Sequence, residues 1–299
     1  MNGIRDVIVI GTGLIGTSIA LAVQKRGVAV RLADRDAEAL GQAVRLGAGQ
    51  PLTAHGRLAD LVVLAVPPAA VAPVLRDAQR ARLGHHYTDV AGVKAPIIAA
   101  ARDHGCDLSV FVPGHPMAGG EQAGPGAARA DLFLGRTWAL CPTEDACGRS
   151  VGVAREGAEL TGAVPCELAP ETHDRAAALI SHLPHVVSSA LAARLDDADS
   201  VALRLAGNGV RDVTRVAAGD VSLWLDVLGQ NADLVAAELV TLIEDLQRAA
   251  REMRAGNNAA LASLLRRGNN GRRRLLAEST GSDGGSPGNR PKAATEKTA

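Results

Sequence analysis

Val7-Ile8-Val9-Ile10-Gly11-Thr12-Gly13-Leu14-Ile15-Gly16 decides the fold. Four consecutive apolar residues make a strand of the kind buried on both faces of a parallel sheet. Glycine ends it, and from Leu14 to Arg26 the apolar residues return on one face of a helix. A Gly-x-Gly-x-x-Gly set that closes a strand and opens a helix is a cradle for a pyrophosphate. Gly11 makes the turn, Gly13 lets the backbone approach the phosphates, and Gly16 lets the helix pack closely on the strand. The free N–H groups and dipole at the helix start favour the anion. Gly11, Thr12, Gly13, Leu14, Ile15 and Gly16 are therefore assigned to a dinucleotide, with Val66, at the end of a strand from Leu61, as a further contact.

Working outward, a second strand runs from Ala29 to Ala33 and ends at Asp34. A carboxylate there accepts hydrogen bonds from the adenine ribose hydroxyls and repels a 2′-phosphate, so NAD is expected over NADP. Arg35 follows and softens that preference by offering a cation to a phosphate; Asp34 can also cap the helix that begins near Asp36. Strands at Leu61–Val66 and Tyr87–Val90 alternate with helices at 69–82 and 94–104, and the pattern continues through 109–112, 137–141 and 163–167. Alternation of this kind means an α/β fold, a Rossmann-type doubly wound sheet. After Pro170 the character changes to long helices at 171–195, 201–217 and 222–253. In the last, Leu223, Val227, Leu228, Leu234, Val235, Leu239, Leu242, Ile243 and Leu246 recur at helical spacing. That much apolar surface points to an all-helical dimerisation domain and a homodimer, with a self-contained helical domain as the alternative. The expected organisation is a cofactor domain at 1–168, a helical substrate and dimerisation domain at 169–278, and a disordered Gly/Ser/Pro-rich tail at 279–299.

Bulk properties narrow the partners. Lys+Arg 32 balance Asp+Glu 32 among 299 residues, and the pI is near 7.1. Nucleic acid and anionic membranes need a basic surface, so neither is expected as a partner. Residues 1–6 lead straight into a strand-like run, so a signal peptide is not expected, and no apolar run reaches the roughly 18 residues that span a bilayer. Cys106, Cys141, Cys147 and Cys166 lack metal spacing and read as buried reduced thiols, so no metal site and a cytoplasmic location are expected.

The chemistry is carried by His115-Pro116-Met117-Ala118-Gly119-Gly120-Glu121, a titratable imidazole downstream of the cofactor fingerprint. Asp89-Val90-Ala91-Gly92-Val93-Lys94 precedes it. Ser181-His182-Leu183-Pro184-His185, Gly207-Asn208-Gly209-Val210-Arg211-Asp212-Val213-Thr214-Arg215 and Trp224 follow it. In that order these motifs resemble the prephenate/arogenate dehydrogenase family of tyrosine biosynthesis, over roughly residues 5 to 255. The resemblance implies an NAD-dependent oxidative decarboxylation of a cyclohexadienyl acid: hydride leaves C4, the 4-hydroxyl loses its proton, and the ring carboxylate departs as CO₂. It makes His115, in a loop past the strand at 109–112, the proton acceptor, a role worth ~10²–10⁴-fold in rate. Arg215 becomes the grip on a substrate carboxylate, since a guanidinium offers two parallel hydrogen bonds. Asp212, three residues earlier on the same helical face, is placed to orient it. His185, Ser181, His173 and Glu121 are the remaining matched substrate-binding positions, while Trp224 is expected to pack the helical core.

The chain departs from the family pattern at Gly92, where the family carries a serine that bonds the substrate's 4-hydroxyl. Either another group fills the gap, or the 4-substituent differs, as in 4-amino-4-deoxyprephenate. Val210 stands where an aromatic residue is common. The tail is too short for a folded sensing domain or a fused mutase, so any feedback inhibition is expected at the active site. Two other classes share the gross architecture. β-Hydroxyacid and imine reductases are disfavoured in their lysine-dependent form, because no lysine lies between Glu171 and Met253. A non-enzymatic NAD-binding redox sensor would not need His115, Arg215 and His185 together.

Overall fold

The computed structural model describes residues 3–53 and 56–281. The expected tail lies, beyond Gly281, outside the described residues. In chain order come β1 (Asp6–Ile10), α1 (Leu14–Gln24), β2 (Ala29–Ala33), α2 (Ala37–Arg45), β3 (Gln50–Pro51), β4 (Ala59–Leu64), α3 (Pro68–Arg80), β5 (Gly84–Asp89), α4 (Ala95–Asp103) and β6 (Phe111–Val112). They build a parallel sheet in the order β3-β2-β1-β4-β5-β6. Val7 and Val9 join the core on one face of the sheet and Ile8 the core on the other, which is why β1 reads as unbroken apolar sequence. Strand order reverses at β1, so its carboxyl end, beside that of β4, opens the crevice where a doubly wound sheet takes its ligand. This is the expected Rossmann-type domain.

The next elements differ from expectation. β7 (Gly114–Pro116), β8 (Thr137–Leu140) and β9 (Val164–Glu167) form a separate three-stranded sheet, with α5 (Gly148–Leu160) between β8 and β9. β7 runs antiparallel to β8, with His115 opposite Ala139. Only Phe111–Val112 of the later segments extends the main sheet. Pro113, which lacks an N–H, separates β6 from β7 and lets the chain change sheets. His115 is therefore held on a strand rather than in a loop. The cysteines also depart from expectation: all four are free, but only Cys141 is buried, while Cys147, at the start of α5, and Cys166, on β9, are exposed.

The remainder is helical: α6 (Pro170–Ala177), a π turn (Ala178–His182), α7 (Leu183–Ala193), α8 (Ser200–Arg204), α9 (Asn208–Thr214), a 3₁₀ turn (Arg215–Ala218), α10 (Val221–Gln230), α11 (Ala232–Arg254) and α12 (Ala259–Gly281). Each helix expected to be continuous is broken for a local reason. Pro184 removes the N–H that would close the preceding turn, and the chain widens there into the π turn. Gly207 separates α8 from α9. Asn231 interrupts the third, its side chain turned into the core. Contacts divide the chain into two compact units, Met1–Glu238 and Leu239–Ala299. Pro170–Ala193 is long and apolar enough to cross a membrane by length and composition, although no uninterrupted apolar run of that length lies within it. It carries His173, Asp174, His182 and His185, all buried within the protein.

Candidate active site

Steric necessity shapes the cofactor cradle. Gly11 adopts φ +100°, and a methyl on it would lie 2.2 Å from the Ala65 carbonyl oxygen. A methyl on Gly16 would lie 1.9 Å from the Gly11 oxygen, whereas one on Gly13 would meet nothing within 4 Å. The first two glycines are thus required by the chain itself, and the third leaves open space at the start of α1. No side chain caps that helix, so its first N–H groups are left for an anion. Thr12 donates to Asp34 Oδ2 from its backbone N–H (2.5 Å) and its hydroxyl (2.8 Å), and the Asp36 N–H donates to Asp34 Oδ1 (2.9 Å). Burial pushes the Asp34 carboxyl up, but these bonds outweigh it and hold the group below its usual range. The cap of α2 is Asp36, which accepts from Glu38 and Ala39 N–H. Arg35 is exposed, and Val66 lies just beyond β4 against Gly11.

Close to this cradle stands a cluster of imidazoles. A methyl on Gly120 would touch the Leu14 side chain at 3.6 Å, so the segment following His115 reaches the start of α1. His115 Nδ1 lies 2.8 Å from His173 Nε2, and His173 Nδ1 lies 2.8 Å from Asp174 Oδ1. Asp174 also accepts the Lys94 N–H on Oδ1 (2.8 Å) and the Ala95 N–H on Oδ2 (2.9 Å), at the start of α4. Burial pushes its carboxyl up towards the protonated form, and the bonds from His173, Ala95 and Lys94 more than reverse that. An ionised Asp174 accepts only, which fixes the tautomers. His173 donates from Nδ1 and accepts at Nε2, and His115 donates from Nδ1. Among the described residues no group bonds the Nε2 lone pair of His115. Burial, with the nearby His173, Lys94 and His182, holds His115 well below the usual histidine value, so the ring is neutral.

His182, which the sequence reading passed over beside Ser181, is 1 % exposed. Asn231 donates to its Nδ1 (3.0 Å) and to the Asp174 carbonyl (3.0 Å), while His182 also bonds the Gly92 backbone. Burial drives its pKa down to about 4, the Asp174 charge opposing. Gly92 sits in the midst of these groups. A methyl on it would lie 3.7 Å from Val227 Cγ1, 3.8 Å from His182 Nε2 and 3.9 Å from His115 Cε1, so a side chain fits there. His185 stacks on Trp224 with ring centroids 3.6 Å apart and planes 10° apart, and its Nδ1 is buried with no partner among the described residues. Ser181 is half-buried on the π turn, one residue off the face that carries His182 and His185. Arg215, at the start of the 3₁₀ turn, pairs with Glu121 at 2.5 Å rather than with Asp212. Both members of that pair remain accessible to solvent.

Asp174, His182, Asn231, Lys94 and Asp89 were not singled out from sequence. Adjacency to His173 was the available signal for Asp174, and the quoted motifs contained His182, Lys94 and Asp89. Nothing in the sequence marked Asn231.

Comparison with known proteins adds two family matches: the nucleotide-binding domain of prephenate dehydrogenase over residues 19–166 and its dimerization domain over residues 169–267. The chain is 43% identical to the probable prephenate dehydrogenase NovF of Streptomyces niveus over 81% of this chain and 67% of that one. It is 31% identical to the cyclohexadienyl dehydrogenase of Zymomonas mobilis over 83% and 88%. Prephenate dehydrogenase from A. aeolicus, solved with hydroxyphenyl propionate and NAD+, shares the fold with a TM-score of 0.82 at 23% identity, over 92% of this chain and 99% of that one.

Proposed function

The chain belongs to the prephenate dehydrogenase family, and from that premise we propose that it catalyses the NAD-dependent oxidative decarboxylation of prephenate to 4-hydroxyphenylpyruvate. Residues 1–168 serve as the cofactor domain and 169–278 as the helical substrate and dimerisation domain. The observation that carries the reading is the free Nε2 of a neutral His115 at the end of the His115–His173–Asp174 chain. A base must hold a lone pair at the reacting hydrogen and be unprotonated before the reaction, and this arrangement meets both conditions.

The residues fit NAD. The Gly13 opening and the uncapped start of α1 suit a pyrophosphate, and an ionised Asp34 suits a ribose diol. Bound there, the nicotinamide supplies the hydride acceptor. As hydride leaves C4 of the substrate, His115 Nε2 takes the 4-hydroxyl proton. The ring carboxylate leaves as CO₂, its bonding pair aromatises the ring, and His115 returns the proton to the phenolic oxygen. No net proton is consumed, so a base of low pKa, which releases its proton readily, suits the cycle. Arg215 grips a substrate carboxylate in place of Glu121, and the unpartnered His185 Nδ1 offers a second polar contact beside it. Glu121 and Ser181 complete the substrate side, whereas His173, expected there too, has both ring nitrogens engaged by His115 and Asp174 and supports the base instead.

Homodimerisation through the helices is supported by exposed apolar residues, among them Val221 and Leu225 in the first unit and Val240 and Leu246 in the second. Four free cysteines favour the reducing cytoplasm.

A second reading rests on Gly92, whose missing side chain leaves room beside His115 for a different C4 substituent, such as the amine of 4-amino-4-deoxyprephenate. The experiment is a single assay series. Purified protein is mixed with NAD⁺ or NADP⁺ and with prephenate, arogenate or 4-amino-4-deoxyprephenate, and reduced cofactor and CO₂ are followed. Reduction of NAD⁺ with prephenate is expected; no reduction with any of the three sinks the assignment. Gly92→Ser is expected to change the ratio of kcat/KM between prephenate and the amine. An unchanged ratio removes residue 92 as the selector.

A further inference from the structure

Lys94 is wholly buried and has no place in the reaction as written, yet it touches the base's support at both ends. Its ammonium donates to Asp89 Oδ2 (2.5 Å) and to the Gly114 carbonyl (2.6 Å). Asp89 in turn accepts the Gly114 N–H on Oδ1 (3.1 Å) and the Ala91 N–H on Oδ2 (2.9 Å). Both backbone polar groups of Gly114 are thus held by one buried ion pair, and the next residue is His115. The backbone N–H of Lys94 meanwhile binds Asp174, at the far end of the imidazole chain.

We infer that Lys94 is a positioning residue for the proton acceptor: its ammonium fixes Gly114, and so the strand that aims His115. The inference rests on His115 being the base. A buried ion pair is costly to assemble and contributes little net stability, which leaves its retention to be explained by the geometry it imposes. Gly114 has little room to move, since a methyl on it would lie 2.8 Å from Trp138 Nε1 and 2.9 Å from the Asp89 carbonyl oxygen. The charged and titratable groups facing His115 are Asp89 from the end of β5, Lys94 from the start of α4, His173 and Asp174 from α6, and His182 from the π turn; α10 contributes the apolar Val227. Burial and His173 lower the affinity of His115 for a proton, and Lys94 lowers it further.

Lys94→Met removes the ammonium and leaves the backbone bond to Asp174 in place. Two readouts test it: the pH dependence of kcat with saturating substrate and cofactor, and titration of the His115 ring by ¹⁵N NMR in the full-length protein without ligands. The expected result is a His115 midpoint and an acid limb of kcat both moved to higher pH. At the pH optimum kcat should fall about 10²-fold, the cost of a base displaced by an ångström, with KM changed much less. Because Lys94→Met strands a buried Asp89 carboxylate, Lys94→Met/Asp89→Asn is measured alongside, as a neutral pair that keeps the acceptor for Gly114. A His115 midpoint unchanged in the folded variants, or a loss confined to KM, overturns the inference. If the wild-type protein turned over none of the substrates, the functional reading would fail while the NMR titration still decided the role of the Lys94 charge.

Discussion

The cradle from Gly11 to Asp34 is one continuous strand–helix–strand, whereas the base chain joins His115 on β7 to His173 and Asp174 on α6, 58 residues further on. In the cradle the decisive residues have no side chain, and their identity follows from local sterics: nothing larger than hydrogen fits at Gly11 or Gly16. In the base chain the decisive residues are ordinary histidines, and their identity follows from the groups that happen to face them. The contrast teaches that a binding site made of backbone can be read from spacing, while a site made of tuned side chains needs its neighbours.

If the two regions divide the work in this way, variants in one should spare the other. The largest effect belongs to His115→Asn. Loss of the lone pair should lower kcat by about 10²–10⁴-fold, while NAD affinity, followed by fluorescence titration, stays near wild type; parallel loss of both would merge the two regions into one.

Next in size is a stability effect confined to the imidazole region. His182 has a pKa of about 4 in the folded protein, against 6.5 for an unconstrained ring. Its neutral form is the one the fold holds. Above pH 6.5 folded and unfolded chains are alike at this group. As pH falls from 6.5 towards 4 the unfolded chain takes up a proton that the folded chain refuses, and stability drops by an amount of order 3 kcal/mol. Denaturant midpoints at pH 7 and pH 4.5 should therefore separate further for the wild type than for His182→Gln; equal separation would remove His182 from the account.

Arg215→Ala comes third. A hydrogen-bonded charge is worth about 1.5–3 kcal/mol, so KM for the substrate should rise about 10–100-fold, with kcat and cofactor binding largely kept. The smallest effect tests the cradle. Gly13→Ala meets no atom of the chain and should leave Tm unchanged, while the methyl stands where the pyrophosphate approaches, raising KM for NAD by about tenfold, or 1.4 kcal/mol. A fall in Tm with no change in that KM would show Gly13 to be structural.

Legibility followed the same division. Strands β1 and β2 and Asp34 were evident from periodicity and spacing, whereas the switch point between β1 and β4 needed the strand order of the folded sheet. His115, Arg215 and His185 were singled out through the order of motifs, since any one of them alone reads as an ordinary polar residue. The separate sheet that carries His115 was missed because β7, Gly-His-Pro, has no apolar strand signature and β8 and β9 read like further strands of the main sheet. The long helices were overextended because Pro184, Gly207 and Asn231 each break a pattern whose apolar spacing continues across them.

By itself the sequence determined the cofactor end of this protein, since a glycine cradle and a carboxylate at the end of β2 are consequences of local backbone geometry. Only the tertiary structure decided which imidazole nitrogen is free, because that depends on Asp174 held ionised by the start of α4 and on Asn231 reaching His182 from another helix. Gly92 joins both halves: the sequence marked it as bare, and the fold set that bare position against His115 and His182. Hydrogen-bond direction and proton affinity are properties of an environment, and the environment is assembled by contacts between residues far apart in the chain.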